Sequence, residues 1–228
     1  MDESDSQWNS SQLPARDRRS DDRAATVFRP VLIEIGEFMG YCLVRNLSTG
    51  GMMGEVYVNL PNGTVIDAHF GTRPIRGRVT WSNDGRVGIQ FDEDIDVRQV
   101  LADHTKSSGP HVNRAPRLPI RCAGELIIDD RAHPMEVQDI SQRGVKALTH
   151  FVKEGDEVQV QVEGLEKRKA IVRWTRDGFA GLNFIRPIAF QELAHWAVDR
   201  QAQRWPCPRN GTPKLMSAQC HRAAERSA

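Results

Sequence analysis

The chain has 228 residues, with 31 Lys and Arg against 30 Asp and Glu, a formal charge of +1, and 39% hydrophobic and 7% aromatic residues. At roughly 100–150 residues per domain this length and balance predict two compact units, each with a small core of its own. The near-neutral charge gives little support to a dedicated nucleic-acid binder, and no stretch approaches the roughly 18 apolar residues of a membrane helix, so no membrane insertion is expected.

The opening stretch, Met1 to Ser11, is polar and acidic and lacks the charged-then-apolar plan of a signal peptide, so a cytoplasmic location is expected. Residues 1–14 read as disordered. After them Arg18, Arg19 and Arg23 lie among Asp17, Asp21 and Asp22. Short segments rich in β-branched or aromatic residues then predict strands at Val31–Ile35, Gly40–Asn46, Gly63–Phe70, Ile75–Ser82 and Arg86–Phe91. Pro61-Asn62-Gly63 and Asn83-Asp84-Gly85 are hairpin-style breaks. The acidic run Asp92 to Asp96, leading into a short helical stretch ending near Leu101, invites a divalent-metal reading. Carboxylates also suit a helix N-terminus, and no metal is assigned.

The segment Thr105 to Asn113 contains Ser, Gly and Pro and reads as a linker, placed at residues 105–112 between units of 15–104 and 113–202. Strands follow at Glu125–Asp129, Met135–Ile140, Gly144–Thr149, Glu157–Glu163, Arg168–Thr175 and Phe179–Ile185. Val158, Val160 and Val162 alternate with Gln159, Gln161 and Glu163, giving one buried and one solvated face. Beyond Pro187, the spacing of Phe190, Leu193, Ala194, Ala197 and Val198 predicts an amphipathic helix that caps this unit. Residues 203–228 read as a flexible basic tail, broken by Pro206, Pro208, Gly211 and Pro213. That tail has the charge to meet acidic partners or nucleic acid; a solubilising role is the simpler reading.

The two units are copies. Asn46-Leu47-Ser48-Thr49-Gly50-Gly51 and Asp139-Ile140-Ser141-Gln142-Arg143-Gly144 share the pattern [Asn/Asp]-x-Ser-x-x-Gly at an offset of 93 residues. The same offset relates Trp81 to Trp174 and Phe91 to Phe184. A tandem duplication of a mostly β unit is therefore expected, each copy a small antiparallel barrel or sandwich with a short helix after its last strand.

An arginine-rich start, the [Asn/Asp]-x-Ser-x-x-Gly pattern about twenty residues on, and a closing Gly-x-x-Phe strand together resemble the PilZ domain, over roughly Arg18 to Asp103 and again Asn113 to Arg200. The resemblance implies two tandem six-stranded β-barrels, each followed by a short α-helix. It also implies a receptor for the bacterial second messenger cyclic di-GMP, bound through Arg-x-x-x-Arg and the Asn/Asp-Ser-Gly pattern, with no cofactor. In the first copy both motifs are intact: Arg19 and Arg23 with Arg18 beside them, then Asn46, Ser48 and Gly51. In the second, Asp139, Ser141 and Gly144 are present, but the arginines depart from the pattern. Arg117 and Arg121 have the right spacing, yet Arg121 would fall inside the first strand; aligning Arg117 with Arg23 leaves Asn113 at the first arginine position and Arg114 beside it. The second copy is thus a possible but degenerate site comprising Arg114, Arg117, Asp139, Ser141 and Gly144.

Guanidinium forks suit this ligand because they pair with phosphates or with a guanine edge and stack on purine faces. Asn46 and Ser48 offer short polar groups, and Gly51 allows either a positive φ or a close backbone approach. A plainer reading stays open: a self-neutralised arginine–aspartate segment, and Asn46-x-Ser48 as a simple turn. Trp81 and Trp174 are expected in the core. The cysteines, Cys42, Cys122, Cys207 and Cys220, form no C-x-x-C pair, so neither a disulfide framework nor a thiolate metal site is expected. No hydrolase elbow, zinc-binding His-Glu-x-x-His or phosphate loop is present, and the chain is not expected to be an enzyme. The expected output is a signal to an unidentified protein partner through ordering of the arginine segment and a change in barrel placement; the alternative is a ligand-independent interaction adaptor.

Overall fold

The computed structural model describes residues 25–71, 73–106 and 115–202. Two closed antiparallel barrels of six strands account for most of it. The first comprises β1 (Ala25–Ile35), β2 (Phe38–Ser48), β3 (Gly51–Val56), β4 (Val65–His69), β5 (Pro74–Asn83) and β6 (Arg86–Phe91), followed by α1 (Val97–Lys106). The second comprises β7 (Leu118–Ile128), β8 (Arg131–Ser141), β9 (Gly144–Leu148), β10 (Glu157–Val162), β11 (Arg168–Arg176) and β12 (Phe179–Phe184), followed by α2 (Phe190–Arg200). Around each barrel the strand order is the same: β1-β2-β3-β6-β5-β4 and β7-β8-β9-β12-β11-β10. Each barrel closes by β1 pairing with β4 over Leu32 to Glu34, and by β7 pairing with β10 over Gly124 to Ile127.

Alternation builds each core. Val31, Ile33 and Ile35 of β1, Cys42, Val44 and Leu47 of β2, and Val87, Ile89 and Phe91 of β6 point inward and are buried. Val158, Val160 and Val162 do the same in β10. Three tight hairpins carry consecutive residues at positive φ, at Asp84-Gly85, Asp129-Asp130 and Asp177-Gly178. That geometry matches the twist of the strands it joins and selects Asp, Asn and Gly. Strand β3 was not expected in the first copy, since Gly51-Met52-Met53-Gly54 carries little β-branched signal; its pairing with both β2 and β6 holds it extended.

The acidic run before α1 has structural work. The Asp96 carboxylate accepts a 3.0 Å hydrogen bond from the Gln99 amide, capping the helix, and Asp92 lies 3.9 Å from Arg78. Helix α1 extends to Lys106, into the stretch read as linker.

Helix α2 does more than cap its own barrel. Leu193, Ala194, Trp196 and Ala197 join the core of the second barrel, whereas Val198 joins that of the first. Conversely, Leu32 and Tyr41 face outward from the first barrel yet are buried, because they pack into the core of the second. Beside them Tyr57 meets Phe190 and His195 edge-on, with ring centroids 5.9 and 4.9 Å apart. The buried amide of Gln201 donates to the carbonyl of Met39 and accepts from its N–H, like one more strand residue. No helix among the described residues is long and apolar enough to cross a membrane.

Candidate functional site

Asn46 of the first barrel's motif sits on a row that crosses the sheet, while Ser48 and Gly51 pair with each other one step further along, beside Gln90. Thr26 of β1 pairs with Asn46 of β2, Asn46 with Met53 of β3, Met53 with Gly88 of β6, and Gly88 with Trp81 of β5. Strand spacing makes the path from Asn46 to Trp81 about 14 Å along the sheet. The inward neighbours Leu47, Met52, Ile89 and Val79 are buried, so this row forms the outer wall.

Three β-bulges shape that wall, in β1 between Thr26 and Arg29, in β2 between Val44 and Asn46, and in β5 between Val79 and Trp81. A bulge turns two successive side chains to the same face. Arg45 and Asn46 therefore both face out, between buried Val44 and Leu47. Arg45 forks onto Glu55 with two 2.9 Å hydrogen bonds and stacks on Phe28, its guanidinium carbon 4.5 Å from the ring centroid.

Trp81 corrects the expectation of a core residue: it is 42% exposed. The β5 bulge swings it outward, and its indole lies across Gly88, where a Cβ would collide with Nε1. Trp174 repeats the arrangement over Gly181 and is 40% exposed. The glycine seven residues after each tryptophan was the available signal, legible only once the cross-strand register is known.

Ser48 donates a 3.1 Å hydrogen bond to the carbonyl of Gly51 and so closes the β2–β3 turn. Gly51 itself has no positive φ. Of the two expected reasons for a glycine, close approach is the operative one, because a Cβ there would lie 2.5 Å from the carbonyl oxygen of Ile89. Asn46, Ser48, Gly50, Met53, Thr80, Trp81 and Gln90 line an open cavity of about 410 Å³ on this wall. Its lining is uncharged: amides, hydroxyls, a thioether and an indole. Arg18, Arg19 and Arg23 lie outside the described residues.

The second barrel keeps the row and all three bulges, in β7, β8 and β11. Pro119 pairs with Asp139 as Thr26 pairs with Asn46. Arg117 donates to Asp139 at 2.6 Å, so the carboxylate in the Asn46 position is already engaged. Arg121 lies within β7 at its bulge, as its spacing required. Ser141 bonds the Gly144 carbonyl at 3.3 Å and accepts from the Arg143 N–H, and a Cβ on Gly144 would collide with the Leu182 carbonyl. Arg114 lies outside the described residues. The carbonyl of Ile140, inside the second motif, accepts a 3.0 Å hydrogen bond from Tyr41 of the first barrel. Burial holds the Tyr41 hydroxyl far above the usual phenol range, so it is a permanent donor.

Residues 17–106 match the sequence profile of the PilZ domain. No curated protein matches the chain. Similar solved structures include PlzA of Borreliella burgdorferi in complex with c-di-GMP, at 10% identity over 75% of this chain and 88% of that one, TM-score 0.34. The inhibitor of motility MotI/DgrA of Bacillus subtilis is 12% identical over 78% and 98% of the two chains, TM-score 0.32. YcgR of Escherichia coli in complex with c-di-GMP is 12% identical over 78% and 86%, TM-score 0.29.

Proposed function

We propose that this chain, whose residues 17–106 match the PilZ domain, is a cyclic di-GMP receptor whose first barrel binds the nucleotide and whose output is a protein contact. The observation that carries the reading is the uncharged wall between Asn46 and Trp81. It offers hydrogen-bonding amides and hydroxyls and an aromatic face, and nothing to neutralise two phosphates. Arg18, Arg19 and Arg23 supply that charge from the adjoining segment, where chain connectivity alone keeps the Cα of Arg23 within about 11 Å of that of Thr26, the partner of Asn46. Each guanidinium can pair bidentately with a phosphate or stack on a purine.

In this reading the arginine segment orders over the wall when ligand arrives. Strand β2 carries the signal, since it bears Asn46 at the wall and Tyr41 at the barrel junction five residues away. A shift of β2 then alters the placement of the barrels. The second barrel acts as scaffold, its Asp139 held by Arg117. A binding role, not catalysis, is what these groups support. The adaptor alternative draws on the same junction but leaves the arginines without a task.

Isothermal titration of cyclic di-GMP into the wild type and the Arg23→Ala, Asn46→Ala and Arg117→Ala variants tests the reading. Saturable binding lost with Arg23→Ala, weakened with Asn46→Ala and retained with Arg117→Ala is expected. No heat and no competition with a fluorescent analogue in the wild type would end it in favour of the adaptor.

A further inference from the structure

The two barrels present the same outer wall with different side chains, so the first serves as an internal control for the second. In the first barrel, the outward row below the Asn46 row is an ion network: Glu55 pairs across the strands with Arg86, is bound by Arg45, and lies 3.9 Å from the Arg86 guanidinium. At the same positions the second barrel has Leu148 paired with Phe179, and Gln138 in place of Arg45. The Glu55 carboxylate and the Arg45 and Arg86 cations have no counterpart; the carboxylate on this row is now Glu136 of β8, which pairs with Leu148 at its margin and accepts from Gln138. Leu148 stays 37% exposed, and beyond it Phe151 is 50% exposed, resting on His133 with ring centroids 4.5 Å apart.

The row above changes in the opposite sense. Met53 becomes Lys146, which pairs with Gly181 beside Trp174, and Thr80 at the β5 bulge becomes Arg173 at the β11 bulge. On the Leu148 row itself, Asn83, paired with Arg86, becomes Arg176, paired with Phe179. Lys146 holds its ammonium 4.6 Å above the Phe179 ring. Among the described residues, no carboxylate forms an ion pair with Lys146, Arg173 or Arg176. The junction with the first barrel lies elsewhere, at Ile140 and α2, and leaves this face open.

We infer that the β9–β12–β11 face of the second barrel, with Leu148, Phe151 and Trp174 set among Lys146, Arg173 and Arg176, docks an acidic segment of a partner protein that carries aromatic or aliphatic anchors. Exposed Trp and Phe with Arg is the composition of interface centres, and unpaired cations around them select for carboxylates and against basic partners. A nucleotide wall needs no Leu148 or Phe151; the first barrel has Glu55 and Val58 there. The inference deepens the partner half of the receptor reading and rests on it for its purpose, while the chemistry of the face is independent of nucleotide.

The test is panning of phage-displayed random linear peptides on the immobilised full chain, followed by fluorescence polarisation of the most enriched peptide. Enriched peptides are expected to combine Asp or Glu with Phe, Trp or Leu. Lys146→Glu and Arg176→Glu should each weaken the labelled peptide by about tenfold, since like charges then face each other. Phe151→Ser, at an exposed position, should weaken it with an unchanged melting temperature. Asn46→Ala should leave peptide binding intact. Enrichment without acidic bias, or affinity indifferent to all three variants, would overturn the inference, as would self-association in sedimentation velocity that Lys146→Glu abolishes, which assigns the face to a second copy. Cyclic di-GMP titration on the same preparations separates the two readings: peptide binding without nucleotide binding sinks only the receptor, and the reverse only the docking face.

Discussion

The hydroxyl of Tyr41 reaches out of the first barrel and satisfies the Ile140 carbonyl inside the second barrel's copy of the Asn/Asp-Ser-Gly motif, 99 residues away. One copy's motif thus faces an open cavity, while the other's backbone is part of the junction. Tyr41→Phe removes the donor and leaves that carbonyl unpaired in a buried place. A loss of about 1–3 kcal/mol is expected, read as a lower urea midpoint. An unchanged midpoint would mean that water reaches the carbonyl.

Alkaline pH should loosen the first barrel. Burial pushes the Cys42 thiol up to about 12. A thiol whose value is raised on folding contributes stability that is complete below its ordinary value near 9 and is lost as pH climbs through the folded value. Unfolding free energy is therefore expected to fall between pH 9 and 12, by up to about 1.4 kcal/mol per pH unit for each such proton. Tyr41, also raised by burial, adds to the slope above its usual range. Urea titrations across this window should show a shallower slope in Cys42→Ala. A slope that does not change would remove Cys42 as its source.

Substitution at the two wall glycines separates structure from recognition. Gly51→Ala sets a methyl against the rigid backbone at Ile89 and should cost about 1–3 kcal/mol. Gly88→Ala meets first the Trp81 ring, a side chain that can move outward. Gly88→Ala is expected to keep most of the stability and to shift tryptophan emission to the red, with weaker nucleotide binding.

Breaking the Arg117–Asp139 pair should matter little to folding. The arginine is 48% exposed on its side chain, and exposed pairs contribute at most about 1 kcal/mol. Thermal melting of Arg117→Ala within a few degrees of wild type is the expected result; a much larger loss would make the pair a structural element of the β7–β8 start.

Most of the barrel plan was legible because it rests on local signals. Val158, Val160 and Val162 alternate, and Pro61-Asn62-Gly63 and Asn83-Asp84-Gly85 mark breaks between strands of the first copy. The repeat at a constant offset then supplied the architecture. What escaped depends on neighbours distant in sequence. Strand β3 is held by β2 and β6 despite poor composition. The outward turn of Trp81 needs the bulge at Thr80 and the bare Gly88 opposite. The burial of Tyr41 and Leu32 needs a second barrel to receive them. For the site, Asn46, Ser48 and Gly51 were found by pattern, whereas Trp81, Thr80 and Gln90 belong to strands that join the wall only in the folded sheet.

The sharing of α2 between the two cores also bears on synthesis. Leu32 and Tyr41 emerge from the ribosome early, but Val198 and Gln201, which complete the junction around them, come more than 150 residues later. Even after β6 closes the first barrel at Phe91, some 110 residues must still be made, on the order of ten seconds at ordinary translation rates. During that interval the nascent first barrel holds Leu32 and Tyr41 without the second core that buries them in the finished chain.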